Sequence, residues 1–243
     1  MIRAVTFDFW GTLYDGVGPA EARRKSLRAE YAGGFFMGIG ADVTPEQLGI
    51  GLDVVNREVT HLREVDQASM AAEEAGQRLA RAVGVRLELP EALRLGELVS
   101  AATREGPPEL LEGARDVLAA LQGSVKLGLI CDTGLTMGQD LYAVMEADAL
   151  AGMFQCFTFS NQTGTTKPMV RQFHHTLHRL GCLPAEGVHV GDLESTDIAG
   201  ARQAGMRSVR IIRGDEDRAT AADAAVGAIS EVAGVLRQWG LDV

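Results

Sequence analysis

Five short apolar runs, at 2–9, 124–131, 153–159, 187–191 and 207–212, most constrain what this chain can become. Each stops close to a glycine or a polar turn, as strands buried on both faces of a parallel sheet do. Helical spacing fills the gaps between them. Residues 110–122 carry Leu111, Val117, Leu118 and Leu121; residues 137–147 carry Met137, Leu141, Val144 and Met145; residues 169–180 carry Val170, Phe173, Leu177 and Leu180. A short Ala-rich helix is predicted over 197–204 and a closing helix over 223–238. Strand and helix therefore alternate. That order implies an α/β fold, a doubly wound (Rossmann-like) parallel sheet with helices on both faces.

Residues 16–106 break the alternation. They are rich in Ala, Glu, Arg and Leu, and 19–31, 45–64 and 68–84 have the spacing of separate helices. The stretch GGFFMGIG at 33–40 reads as a bend between two of them. Pro107 and Pro108 mark the return to the alternating pattern. The expected organisation is a core made of 1–15 and 107–243, with an inserted helical domain over 16–106.

Composition narrows the partners. With a formal charge of −10 over 243 residues, a general nucleic-acid surface is not expected, although a locally positive site can still take a phosphate. Cys131, Cys156 and Cys182 are too few and too irregular for a disulfide framework or a zinc site, and a reducing cytoplasm suits them. No apolar run reaches membrane-spanning length, and Asp8 interrupts the apolar N-terminal stretch a signal peptide would need. His174, His175 and His178 lie on one predicted helix without an acid partner and read as packing or surface residues. Nothing in the sequence specifies an oligomeric state.

The chemistry-bearing residues fall at strand ends. Asp8 closes the first strand, Lys167 sits in the loop GTTKP, and Asp192 follows the fourth strand in GDLESTD, with Glu194 and Asp197 close behind. In open α/β sheets the carboxyl edge is where ligands bind. Two acids and a lysine are thus delivered toward one edge.

This ordered set resembles the haloacid dehalogenase-like superfamily. DFWGTL is similar to its first motif; Cys131, Asp132 and Thr133 fall at its second; Lys167 before Pro168 at its third; and GDLESTD at its fourth. The resemblance covers about 1–15 and 107–213, and the inserted helices are similar to the family's cap in placement. It implies that Asp8 is a carboxylate nucleophile and that Lys167 neutralises both Asp8 and the transferring group. It implies a Mg²⁺ ion on Asp8, Asp192, Asp197 and the backbone carbonyl of Trp10. Gly11 and Thr12 would offer backbone N–H groups to phosphoryl oxygens. Trp10, Asp132 and Gly134 would border the substrate, and either Cys131 or Thr133 would fill the second-motif role.

Two positions depart from the pattern. Family phosphatases carry an acid two residues after the nucleophile; here that residue is Trp10, which cannot transfer a proton at neutral pH. General acid–base help is worth roughly 10²–10⁴-fold. Asp15, Tyr14, Asp132 and Glu194 are the candidate substitutes. At the second motif Cys131 presents a thiol, a weaker donor than a hydroxyl. An aromatic residue at position 10 is also what the family's dehalogenases have, and those enzymes work without a metal. They lack the acid pair of GDLESTD, however, and place an amide where Asp132 stands. The expected activity is therefore Mg²⁺-dependent hydrolysis of a small phosphorylated metabolite. The alternatives are a metal-free 2-haloacid dehalogenase and a weakly active binding protein on the same scaffold.

Overall fold

The computed structural model describes residues 1–214 and 219–243. Its centre is a six-stranded sheet built from β1 (Ala4–Phe7), β2 (Lys126–Cys131), β3 (Cys156–Phe159), β4 (Gly187–Gly191), β5 (Arg207–Ile211) and β6 (Ala224–Val226). Every pairing is parallel, and the order is β3-β2-β1-β4-β5-β6. The expected doubly wound α/β fold is the one that forms. β1 sits where the winding reverses, with β2 on one side and β4 on the other. The register sets Phe7 beside Leu129 and Val190. Residues just beyond Phe7, Cys131 and Gly191 therefore leave the sheet side by side.

Residues 16–106, between β1 and β2, carry four α-helices: α1 (Pro19–Gly38), α2 (Pro45–His61), α3 (Ala72–Ala82) and α4 (Leu89–Glu105). Their starts follow from local chemistry. Thr44 accepts the Gln47 N–H at 3.2 Å while the Gln47 side chain accepts the Thr44 N–H at 2.8 Å, a reciprocal cap with Pro45 in the first turn. Glu88 and Glu91 repeat that arrangement ahead of α4. The helices bury Phe36, Leu52, Val55, Leu79, Leu95 and Val99 against one another. Gly76 of α3 and Gly96 of α4 each face the other helix's backbone so closely that a Cβ would collide with a carbonyl. Leu135, from the loop after β2, is the one buried residue in this cluster contributed from outside the insert.

The remaining helices are α5 (Ala114–Leu121), α6 (Gly138–Ala147), α7 (Ser160–Thr163), α8 (Val170–Leu180), α9 (Ala199–Gln203) and α10 (Val232–Gln238). The main core packs the sheet residues Val5, Phe7, Leu127, Leu129, Val188 and Val190 against Leu118, Leu121, Leu141 and Leu236.

The structure corrects two local readings. Residues 33–40 are not a bend: α1 runs on to Gly38, because Ala32 and Phe36 are buried and the packing they gain outweighs the poor helix propensity of Gly33 and Gly34. Residues 223–238 are not one helix. Residues 224–226 pair with β5 as a sixth strand, a single turn covers 229–231, and the helix begins only at Val232. Among the described residues no helix is long and apolar enough to cross a membrane, and all three cysteines are free thiols.

Candidate active site

β1 leads directly into Asp8, whose N–H donates to Val190 O at 2.9 Å and so stays in line with the sheet. The chain then turns sharply. Leu13 and Tyr14 N–H both donate to Phe9 O, and Gly11 takes a φ of +75°, a conformation that favours glycine. A Cβ at Gly11 would run into the Asp192 carboxylate, so the turn after β1 and the end of β4 touch only because this residue has no side chain.

Lys167 is the centre of the site. Its Nζ, only 2% exposed, donates to Asp8 Oδ1 at 2.5 Å, to Asp197 Oδ1 at 2.7 Å and to Ile130 O at 3.1 Å. Asp197 is in turn held at both oxygens, by His189 Nε2 at 3.1 Å on Oδ1 and by the Leu193 N–H at 3.1 Å on Oδ2. His189 Nδ1 lies 2.8 Å from Thr6 Oγ1, and burial lowers the imidazole pKa and keeps the ring neutral. With Nε2–H donating to Asp197, Nδ1 accepts from Thr6. His189 and Thr6 were not singled out by the sequence reading. A histidine in the buried strand that leads into GDLESTD was the available signal.

Asp8, Asp192 and Asp197 each offer a carboxylate oxygen within 4.8 Å of the others. Burial, with Asp197 and Asp192 nearby, holds the Asp8 carboxyl well above the ordinary carboxylate range, against the pull of Lys167. Burial and Asp197 push Asp192 up to about 6. Burial works against charge on Lys167, but Asp197, Asp8 and Asp132 outweigh it and its pKa is raised. Asp197 moves the opposite way: burial opposes its charge, yet Lys167 and His189 hold its carboxyl well below the usual range. Several acids thus share one lysine. Asp192 Oδ1 is buried without a hydrogen-bond partner. A surplus of hard oxygen donors with one left unpartnered suits a small divalent cation.

The second-motif residues divide. Cys131 is the last residue of β2, and its thiol is packed in the main core with its pKa raised by burial and by Asp8. Thr133 is buried beside Ser160, which accepts the Thr133 N–H at 2.9 Å and lies 3.1 Å from its hydroxyl. Asp132 Oδ1 accepts the Lys167 N–H at 3.1 Å, and burial pushes its carboxyl up to about 6. Gly134, at φ +61°, lies under Val59 of α2. Thr12 keeps a buried hydroxyl with no partner. The Gly11 N–H is not open to a ligand as expected: it donates to Tyr14 O at 2.7 Å, because the turn closes on its own backbone.

Of the substitutes for an acid at position 10, three are committed elsewhere. The Tyr14 hydroxyl donates to Asp148 at 2.9 Å within the core; Asp15 accepts the Val17 N–H at 3.2 Å; Glu194 holds Thr220 at 2.6 Å, the Ala221 N–H at 2.8 Å and Arg210 at 3.4 Å. Asp132 is the one that borders Lys167.

The insert closes over this edge on two sides. Ser69 Oγ lies 2.8 Å from Ser160 Oγ, and Thr166 N–H donates to Gln67 O at 3.0 Å, just before Lys167. On the other side Ser100 of α4 donates to Asp140 of α6, and Arg104 pairs with the same carboxylate at 2.9 Å. Asp8 retains 5% exposure beneath them.

With four motif segments converging on Lys167, a family comparison becomes meaningful. The sequence model of haloacid dehalogenase-like hydrolases matches residues 2–205. The chain belongs to this family. It is similar to a glyceraldehyde 3-phosphate phosphatase of Methanopyrus kandleri, 32% identical over 88% of this chain and 85% of its own. A phosphoserine phosphatase of Thermus thermophilus is 39% identical over 34% of each chain. Among solved structures, a 2-haloacid dehalogenase of Pseudomonas syringae superposes with a TM-score of 0.71 at 25% identity, covering 98% of this chain and all of its own. This haloacid dehalogenase-like chain is therefore a hydrolase, and its relatives include both phosphatases and a dehalogenase.

Proposed function

We propose that the enzyme is a Mg²⁺-dependent phosphomonoesterase acting on a small phosphorylated metabolite, with Asp8 as nucleophile. The observation that carries the reading is the charge imbalance. Asp8 and Asp197 share the Lys167 ammonium, and the third acid beside them, Asp192, leaves Oδ1 unpartnered. Such a site repels an anionic substrate unless a cation joins it. Asp8, Asp192 and the Trp10 carbonyl would hold Mg²⁺, with Asp197 placed by its hydrogen bonds to orient Lys167. Bound there, the ion supplies charge neutralisation for the phosphoryl oxygens.

The rest is done by the chain's own groups. Lys167 fixes Asp8 through Oδ1 and leaves Oδ2 for attack. An Asp8 oxygen forms a bond to phosphorus as the bond to the leaving oxygen breaks. Asp132, raised to about 6, gives its proton to that oxygen. The same carboxylate then takes a proton from the water that hydrolyses the acyl-phosphate. Thr12 Oγ1, a buried hydroxyl without a partner, would donate to the phosphoryl group. The helical insert, residues 16–106, serves as a cap that parts from the core to admit substrate and closes to exclude water. The phosphatases among the relatives support this reading.

Trp10 and the likeness to a 2-haloacid dehalogenase favour a second reading, metal-free displacement of halide. Asp132 and Asp192 weigh against it, since both would repel the departing anion. One pair of assays decides. Hydrolysis of p-nitrophenyl phosphate that requires Mg²⁺ and disappears in Asp8→Asn is the expected result. Halide release from 2-chloropropionate in the presence of EDTA, with no phosphatase activity, overturns it.

A further inference from the structure

The loop that carries Lys167 is held from two sides, by the second motif and by the insert, and both sets of contacts meet on one serine. Ser160, fully buried just after β3, accepts the Thr133 N–H at 2.9 Å. Its hydroxyl also lies 2.8 Å from Ser69 Oγ and 3.1 Å from Thr133 Oγ1. A hydroxyl has one proton and two lone pairs. The Thr133 N–H takes one lone pair, so of the Ser69 and Thr133 hydroxyls one donates to Ser160 and the other accepts from it. Every bonding position of Ser160 is used, and one of them is filled by the insert.

Ser69 is brought there by a backbone clamp. Leu62–Asp66 form a wide π-helical turn, and Gln67 after it takes a φ of +50°, a left-handed conformation that is costly for a non-glycine residue. Gln67 O accepts the Thr166 N–H at 3.0 Å, Ala68 pairs with Thr165 as an antiparallel bridge, and the Ser69 N–H donates to Gly164 O at 3.3 Å. Thr166 Oγ1 adds a bond to Arg63 O at 3.4 Å. Strain of this kind persists where the surrounding contacts over-determine the backbone. The clamp grips residues 164–166, directly before Lys167.

The same loop fixes Asp132 at two points. Asp132 Oδ1 accepts the Lys167 N–H at 3.1 Å, and the Thr133 N–H that Ser160 holds belongs to the peptide unit following Asp132. Lys167 Nζ in turn donates to Asp8 Oδ1 at 2.5 Å. The carboxyl that gives the proton and the one that attacks are thus both set by one loop. We propose that Ser69 and Ser160 are positioning residues for Asp132: docking of the insert through Ser69 locks Ser160, and Ser160 fixes the Asp132–Thr133 peptide so that the acid is aligned only while the insert is docked. The kinetic consequence rests on the reading of Asp132 as proton donor; the coupling of the insert to the second motif does not.

The test uses the whole chain with Mg²⁺ and two esters. The phenolate of p-nitrophenyl phosphate leaves without a proton, whereas the alkoxide of glycerol phosphate needs one. In Ser69→Ala, kcat on glycerol phosphate should fall by about tenfold or more, part of the acid's contribution, and kcat on p-nitrophenyl phosphate by less than about threefold. Ser69→Thr should restore most of the loss. In an Asp132→Asn background, Ser69→Ala should add no further loss on glycerol phosphate. Arg104→Ala, which loosens the insert on its other side at Asp140, should not discriminate between the esters. Equal losses on both esters, a loss that adds to that of Asp132→Asn, or the same discrimination in Arg104→Ala overturns the proposal. Hydrogen exchange reads the coupling without turnover. The Thr133 and Lys167 amides should exchange about tenfold faster in Ser69→Ala, with the Asp8 amide, bonded to Val190 O, unchanged. This acceleration in a protein that hydrolyses neither ester keeps the coupling and removes the phosphatase; unchanged exchange overturns the coupling.

Discussion

The guanidinium of Arg24 lies over the indole of Trp10, 5.3 Å from the ring centroid, and donates to Gly16 O at 3.3 Å and Gly106 O at 3.4 Å. One buried cation on α1 thus joins the residue two beyond Asp8 to both segments that connect the insert with the sheet. Trp10 also packs edge-on against Phe9. Its position is filled by a structural ring where a proton donor would otherwise stand.

Replacing Trp10 with Asp therefore tests which acid the site uses. If Asp132 already delivers the proton, Trp10→Asp raises kcat on an alkyl phosphate by less than about tenfold, well short of the full acid–base contribution. The same change removes the ring beneath Arg24 and costs about 1–2 kcal/mol in a urea melt. A gain of a hundredfold or more would show that the native site lacks a general acid and that Asp132 does not fill the role.

Asp132 carries its own signature in pH. Its carboxyl sits near 6 in the folded protein because it is buried, against about 3.9 when unfolded. As the acid it must hold its proton, so kcat on alkyl phosphates declines as pH rises through about 6. Asp132→Asn lowers kcat by about 10²-fold and abolishes that limb. The sign for stability is the same. A raised carboxylate favours the folded state while protonated, fully below the unfolded value, and that contribution is lost as pH rises through the folded one. The difference amounts to at most about 3 kcal/mol. Melts of Asp132→Asn between pH 4 and 7 should lack this decline.

Lys167→Met tests the pairing itself. The lysine is the buried partner of both Asp8 and Asp197. Removing it leaves two carboxylates uncompensated, a loss of about 3–5 kcal/mol at neutral pH, together with loss of turnover. Asp197 is held below its ordinary pKa mainly by Lys167, so its stabilisation is present above the unfolded value and lost as pH falls through the folded one. The gap between wild type and Lys167→Met should therefore narrow in acid. A gap constant from pH 3 to 8 would mean the ion pair contributes nothing specific.

How far these residues could be read in the sequence depends on the kind of contact each makes. Asp8, Lys167 and Asp192 were legible because strand ends are set by local pattern, and the parallel order β2-β1-β4 then brings their residues together. β6 was not, because Asp223-Ala-Ala-Val has no strand signature of its own and becomes extended only by pairing with β5. α4 carried a readable start in Glu88, Pro90 and Glu91, which the helical segments assigned over 16–106 passed over. Ser160, Thr136 and, through Thr6, His189 hold other residues across long sequence separations, which no spacing along the chain reports; only His189 offers a local signal, as a histidine in the strand that leads into GDLESTD. The Gly11 N–H was misread because a turn's own hydrogen bonds compete with a ligand's, and composition does not reveal which prevails.

Mg²⁺ should be detectable as stabilisation before any substrate is known. A ligand that binds only the folded state adds about 2.7 kcal/mol at a hundred times its Kd. The acid cluster gives the wild type such a gain, reversed by EDTA. Asp192→Asn removes the carboxylate whose Oδ1 lacks a partner and whose ionisation burial already disfavours. Without Mg²⁺ this variant should be as stable as the wild type or more so, because one buried charge has gone. With Mg²⁺ its gain should collapse below about 0.5 kcal/mol. Gly11→Ala should show the opposite pairing of effects. It strains a φ of +75° and drives a methyl group into the Asp192 carboxylate, so it loses stability without the ion as well as the response to it. An Asp192→Asn protein that keeps the full Mg²⁺ shift would place the ion elsewhere and leave Asp8 without its proposed cationic partner.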